Sequence, residues 1–211
     1  MKKILFLTVL LLLTFFLLFP QLQIPWMIVD DGESARASAE LSEHFTRGDI
    51  SWLFKFEAQN GLMRPSYWLL HWLNFSLLGT NAYLHHLSHL LLFVGIATLL
   101  FFLVEEISKD SFAGLLAGLF FLLFSPASEN FYRLGTGEPG LVLFLLGAFY
   151  FFVRAIKKNS WFSFSLSTIF LVLSWFSKST VIILIPEAVI IFLLFFLFPE
   201  KSRPKSLRFA L

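Results

Sequence analysis

Two adjacent carboxylates, Asp30 and Asp31, are followed across Gly32 by a third, Glu33, and together they form the densest acidic cluster in the chain. Three carboxylates this close repel one another. Either one of them holds its proton more tightly than usual or a cation sits between them, and both outcomes suit a general base or a metal-assisted site. Gly32 lets the backbone turn sharply within the cluster. The plainer reading is a helix start, where acidic side chains complement the dipole, and Glu33 fits that role better than the aspartates do.

Other polar residues are spaced so that they could serve such a site. Arg64 precedes Pro65, and an arginine there can hold a phosphate bidentately, or simply anchor a helix at lipid headgroups. His85, His86 and His89 open a long apolar run, with His86 and His89 on one helical face. A His-x-x-His pair without a third ligand is a weak metal signal, and hydrogen bonding within a helix bundle or contact with a lipid headgroup explains it better. A polar, Gly-rich segment, Ser128 to Pro139, carries Arg133, suited to a departing phosphate, and Glu138, suited equally to a helix start. Lys178 occupies a short turn between two apolar runs, and Glu187 follows Pro186 inside the second of them. A carboxylate at that depth needs a partner or a proton.

The elements that must position these groups are membrane helices. The chain of 211 residues is 57% hydrophobic with mean hydropathy +0.78 and 29 Phe, and its apolar runs alternate with short polar stretches. That pattern is an all-α integral membrane protein; period-two strands for a barrel are missing. The net charge of +2 without a basic face argues against nucleic acid as a partner. Zero Cys removes disulfides and thiolate chemistry.

Six spans are expected: Ile4 to Phe19, Tyr83 to Val104, Ser111 to Ser125, Gly140 to Val153, Trp161 to Phe176 and Thr180 to Phe198. The first has no small-x-small cleavage site directly after it and is read as a retained anchor. Two interfacial helices are expected in the first outer loop, residues 20–82. One is Ser34 to Phe45, with Ala37, Leu41 and Phe45 at helical spacing, and the other is the aromatic Tyr67 to Leu78. Charge placement decides the second. If Tyr67 to Leu78 lies on the surface, then Lys2, Lys3, Lys109, Arg154, Lys157, Lys158 and the basic tail 199–211 all face the cytoplasm, as the positive-inside rule prefers. Both termini are then cytoplasmic, and the acidic cluster faces the opposite side.

The order of these features resembles the GT-C membrane glycosyltransferases, in particular the protein O-mannosyltransferase-like and aminoarabinose-transferase-like branches. One span, Asp30-Asp31, a surface helix ending at Gly48-Asp49, Arg64-Pro65, an aromatic helix ending at Leu78-Gly79 and a His-led span carry the resemblance. Ser177-Lys178 before an apolar run with Pro186 adds to it, although Ser179 stands where an acidic residue often follows the lysine. The resemblance implies a GT-C-like fold and inverting transfer of a sugar from a polyprenyl-phosphate donor to a lipid, glycan or protein acceptor on the outer face of the plasma (inner) membrane. It makes Asp30 the expected base and Asp31 its acidic partner, with Arg64, His86, His89 and Lys178 as candidate substrate contacts; the residues themselves add Glu33, Arg133 and Glu138 to those candidates. It leaves a divalent metal open. Familiar members are longer, so residues 1–211, read as a single membrane domain, are expected to be the N-terminal part of a larger architecture. The alternative class is a non-catalytic membrane protein, a partner subunit or scaffold. Transport is disfavoured because Glu187 is nearly the sole charged candidate at mid-membrane.

Overall fold

The computed structural model describes residues 2–26, 31–59, 64–124, 129–131 and 133–178. Asp30, Glu187, the sixth expected span and the basic tail lie outside the described residues. Among those described, every regular element is helical.

The membrane part is built from α1 (Lys2–Leu18, continued by a 3-10 turn Phe19–Gln23), α5 (Ala82–Ser108), α6 (Ser111–Leu123), α7 (Glu138–Lys158) and α8 (Trp161–Trp175). Three of these, with the 3-10 turn counted into the first, are long and apolar enough to cross a bilayer: Lys2–Gln23, Ala82–Ser108 and Glu138–Lys158. α6 and α8 are apolar but shorter, at 13 and 15 residues. Large apolar side chains such as Ile4, Phe16, Phe120, Leu123 and Phe162 stand more than two-thirds exposed, a surface stable against lipid but not against water. The chain is therefore a multi-pass integral membrane protein.

α5 is the centre of the bundle, packed against α1, α6 and α7, while α8 packs on α7. Lys3 bonds Glu105 at 2.7 Å at one end, and Leu18 and Leu22 meet Leu90 and Phe93 at the other, so α1 and α5 run antiparallel. Direction alternates through α6, α7 and α8: short turns join α5 to α6 and α7 to α8, and the Gly95–Leu143 and Glu106–Lys157 contacts set α7 parallel to α5. Each of those turns is specified locally. Asp110 accepts from the Phe112 N–H at 2.9 Å and Ser160 from the Ser163 N–H at 3.3 Å, while Lys109 and Asn159 end the preceding helices in the left-handed region. Lysines gather at this end, with Lys109 and Lys157 both on Glu106.

The loop at the opposite end holds three helices: α2 (Asp31–Thr46), α3 (Ser51–Gln59) and α4 (Pro65–Leu78). α2 begins three residues earlier than its apolar spacing suggests, and α3 is additional to the expected pair. Nine residues make two and a half turns, too short for a periodic signal, and the buried side of α3 consists of Leu53 and Glu57 one turn apart. Ala37, Leu41, Leu53, Tyr67 and Trp68 form a small core of their own, with Phe45, Trp52 and Trp72 against it.

Glycine lets two spans approach closely. A Cβ on Gly114 of α6 would lie 2.7 Å from the Phe101 carbonyl oxygen, whereas one on Gly95 would meet only a Leu143 methyl at 3.0 Å. Backbone cannot yield as a leucine end can. Gly114→Ala is therefore expected to cost about 1–3 kcal/mol and to lower the thermal midpoint in detergent clearly more than Gly95→Ala. Equal midpoints would remove the close contact between α5 and α6.

Candidate functional site

Asp31 is the first residue of α2 and is 1% exposed. Its Oδ1 accepts the Gly135 N–H at 2.8 Å, which ties the first loop to the second. The Gly135 carbonyl in turn accepts the Tyr67 hydroxyl at 2.7 Å, and Tyr67 and Ser34 hydroxyls lie 3.0 Å apart. Both peptides flanking Gly135 are thus held between α2 and α4. Gly137 continues the same approach, since a Cβ there would lie 3.0 Å from the Tyr67 ring and 3.1 Å from the Ser177 carbonyl oxygen.

α4 reaches this junction because its first turn is capped from α8. Pro65 has no N–H to satisfy, and the Ser66 and Tyr67 N–H groups donate to the Phe176 carbonyl at 3.0 and 3.4 Å. Two residues further on, Lys178 pairs with Glu138 at the start of α7. Both side chains remain about one-third exposed, so the pair faces outward from the junction.

Beside Tyr67 sits a second buried carboxylate, Glu57, 0% exposed. Such a charge is stable only when its lone pairs are filled. Arg64 donates its backbone N–H at 2.6 Å, its Nε at 3.3 Å and Nη2 at 3.2 Å, and Trp68 donates its indole N–H. The guanidinium also lies 5.0 Å from the Tyr67 ring centre, a cation–π distance. Arg64 is thus occupied in holding α3 to α4, with 26% of its side chain open.

The remaining candidates are placed as follows. Glu33 is exposed in the first turn of α2. His86 and His89 are buried at the top of α5, and the His86 ring is 6.1 Å from the Phe131 ring of the second loop. Neither nitrogen of His86 makes a well-formed hydrogen bond. His85 instead donates from Nε2 to the Gly79 carbonyl at 2.8 Å, which closes the Gly79 turn. Arg133 lies 3.6 Å from Glu129, part-exposed, two residues before Gly135. Asp31, Arg64 and Gly135 therefore meet around Tyr67, with Gly137 against its ring; Arg133 lies two residues before Gly135, the Glu138–Lys178 pair faces outward, and His86 lies against Phe131. Among the described residues no group of three or more His, Asp or Glu side chains could hold a metal ion. A groove of about 280 Å³ between α7 and α8, lined by Phe152, Ile156, Trp161 and Phe164, lies at the lysine end and carries no group that could act as acid or base.

Tyr67, Ser34, Gly135, Glu57 and His71 belong to the junction yet do not stand out in the sequence. Each is an isolated polar residue or a glycine in a segment whose pattern is set by its neighbours. The sole available hint is that Tyr67 and His71 are four apart and share one helix face.

His71 is packed against the Tyr67 ring at 4.3 Å. Burial pushes its pKa from the ordinary 6.5 down to about 3, and the nearby His89, His85 and Arg64 push in the same direction. Because the folded value lies below the unfolded one, the neutral imidazole contributes stability above pH 6.5 that is lost as pH falls from 6.5 toward about 3. His71→Leu should therefore show a flatter dependence of thermal midpoint on pH across that window than the wild type. Parallel curves would mean that His71 already carries a proton in the fold.

A sequence-family profile described as dolichyl-phosphate-mannose-protein mannosyltransferase matches residues 65–207, more than half of the chain. No curated protein and no solved structure matches it. The matched stretch begins at Pro65, the first residue of the helix that carries Tyr67, and takes in the Gly135 loop, Glu138 and Lys178. On that match, and with the multi-pass helical fold, the chain belongs to the dolichyl-phosphate-mannose-protein mannosyltransferase family, a GT-C-like group of membrane glycosyltransferases.

Proposed function

We propose that the chain transfers a sugar, with inversion, from a polyprenyl-phosphate donor to an acceptor hydroxyl on the non-cytoplasmic face of the plasma (inner) membrane. The observation that carries this reading is the placement of Asp31. It immediately follows Asp30, is buried at the end of the bundle opposite the lysines, and is bonded to the loop that bears Arg133 and leads to the Glu138–Lys178 pair.

In this reading Asp30 takes the proton of the acceptor hydroxyl as its oxygen forms a bond to the sugar's anomeric carbon. The bond from that carbon to the phosphate oxygen breaks on the opposite face, and polyprenyl phosphate leaves with the electron pair. Asp31 acts as the acidic partner that fixes the local backbone. Arg133 and Lys178 are proposed to supply the positive charge that steadies the departing phosphate; Arg133 lies beside Glu129, and Lys178 is oriented by Glu138. Arg64, His86 and His89 are proposed donor contacts, Glu33 a peripheral one. A lipid-linked donor presents its phosphosugar at headgroup level, which is where a carboxylate just beyond the first span meets it. A divalent metal would add to the charge balance there. The acceptor is a lipid, glycan or protein.

Replacing both carboxylates, Asp30→Asn with Asp31→Asn, is expected to lower transfer from a polyprenyl-phosphate hexose by at least about a hundredfold, the scale of a lost general base. Undiminished transfer would sink the enzymatic reading in favour of a partner subunit or scaffold.

Orientation is proposed from the lysines. Lys2, Lys3, Lys109, Arg154, Lys157 and Lys158 share one end of the bundle and are assigned to the cytoplasm. The natural chain has no cysteine, so single substitutions report sidedness directly. In intact cells an impermeant maleimide should label Glu43→Cys and not Lys158→Cys. The reverse pattern would invert the topology and put the acidic pair inside.

A further inference from the structure

The hydroxyl of Tyr67 has one proton to give. The Gly135 carbonyl, 2.7 Å away, can only accept, so Tyr67 donates there, and the Ser34 hydroxyl at 3.0 Å must then donate to the Tyr67 oxygen. Gly135 donates its own N–H to Asp31 at 2.8 Å, and Asp31 and Ser34 are three residues apart on one face of α2. Three hydrogen bonds link Asp31, Gly135, Tyr67 and Ser34 in turn, and the first turn of α2 between Asp31 and Ser34 closes them into a ring. All four residues are buried, with Asp31 at 1%, Ser34 at 2% and Tyr67 at 6% exposure.

We propose that Tyr67 is a positioning residue for the acidic pair, a role that rests on the proposed transfer reaction. It acts through Gly135. With its hydroxyl on the carbonyl of one flanking peptide, the N–H of the other stays aimed at the Asp31 carboxylate, and Asp31 is joined to Asp30 by a single peptide bond. The phenol cannot drift, because α4 is itself pinned at Ser66 and Tyr67 by the Phe176 carbonyl and the ring is flanked by Gly137 and the Arg64 guanidinium. Removing the hydroxyl leaves the Gly135 carbonyl buried with its donor gone, and the loop must shift to satisfy it.

The test is Tyr67→Phe, which keeps the ring and its packing. In native membranes with a polyprenyl-phosphate mannose donor, kcat for release of polyprenyl phosphate should fall roughly ten- to a hundredfold, the cost of an ångström-scale misplacement, with the donor KM little changed. In the purified full chain in lipid nanodiscs, spin labels on cysteines introduced at Gly32 and Thr136 should give one narrow distance distribution for the wild type and a broad one for Tyr67→Phe. Both changes are required. A lower kcat with an unchanged distribution, or a broadened distribution with full kcat, overturns the positioning role. Ser34→Ala retains the Tyr67–Gly135 bond and is expected to lose less activity than Tyr67→Phe; an equal or larger loss would locate the effect in α2 instead. Asp30→Asn in the same assay separates the two levels. If Asp30→Asn is as active as the wild type, the base assignment fails, whereas an inactive Asp30→Asn beside a fully active Tyr67→Phe removes only the positioning role.

Discussion

Buried peptide groups must be bonded, and in this protein that requirement falls most heavily on Gly135. Its N–H and carbonyl are met by Asp31 and Tyr67, side chains distant in sequence that belong to two different helices of the first loop. The second loop therefore has no independent place; it lies where α2 and α4 leave it. α4 depends in turn on the carbonyl of Phe176 at the end of α8. One set of hydrogen bonds thus ties together the ends of elements that the membrane by itself would hold only side by side.

Glu57 does the same work within the first loop. Its carboxylate is fully buried and takes donors from the Arg64 backbone, the Arg64 guanidinium and Trp68, so α3 cannot leave α4 without stranding a charge. The apolar core of Ala37, Leu41, Leu53, Tyr67 and Trp68 is small. Non-directional packing of that size would permit several arrangements of three short helices, and the buried ion pair selects one. Arg64 illustrates how a residue's surroundings narrow its chemistry: it stays part-exposed beside Tyr67, but its charge is already partly balanced.

The bundle beneath needs less specification. Apolar side chains face lipid over most of the surface, and order among the spans comes from a few close approaches, such as Gly114 against Phe101 and Gly147 against Phe170, and from the paired lysines and glutamates at the far end. The Ser167 hydroxyl on the Ala148 carbonyl adds a polar link between α7 and α8.

Much of this was legible in the residues alone. Apolar runs of about twenty residues can be little other than membrane helices, and the apolar stretches expected from Tyr83, Ser111, Gly140 and Trp161 begin within two residues of the observed helices because Asn81, Asp110 and Ser160 cap three of them and Pro139 opens the fourth. The order of Asp30-Asp31, Arg64-Pro65 and the His-led span suggested the family, and the profile match covers the part of that order from Pro65 onward. Short α3 was not legible, because nine residues show no period. Nor could spacing reveal that Asp31 bonds Gly135, that Glu57 holds Arg64, or that Tyr67 closes a ring with Ser34, since each partner is an unremarkable residue in its own segment. Hydropathy is a sum over neighbours in the chain and survives without coordinates. A hydrogen bond depends on distances of about 3 Å between groups far apart in sequence, and only the tertiary structure decides those.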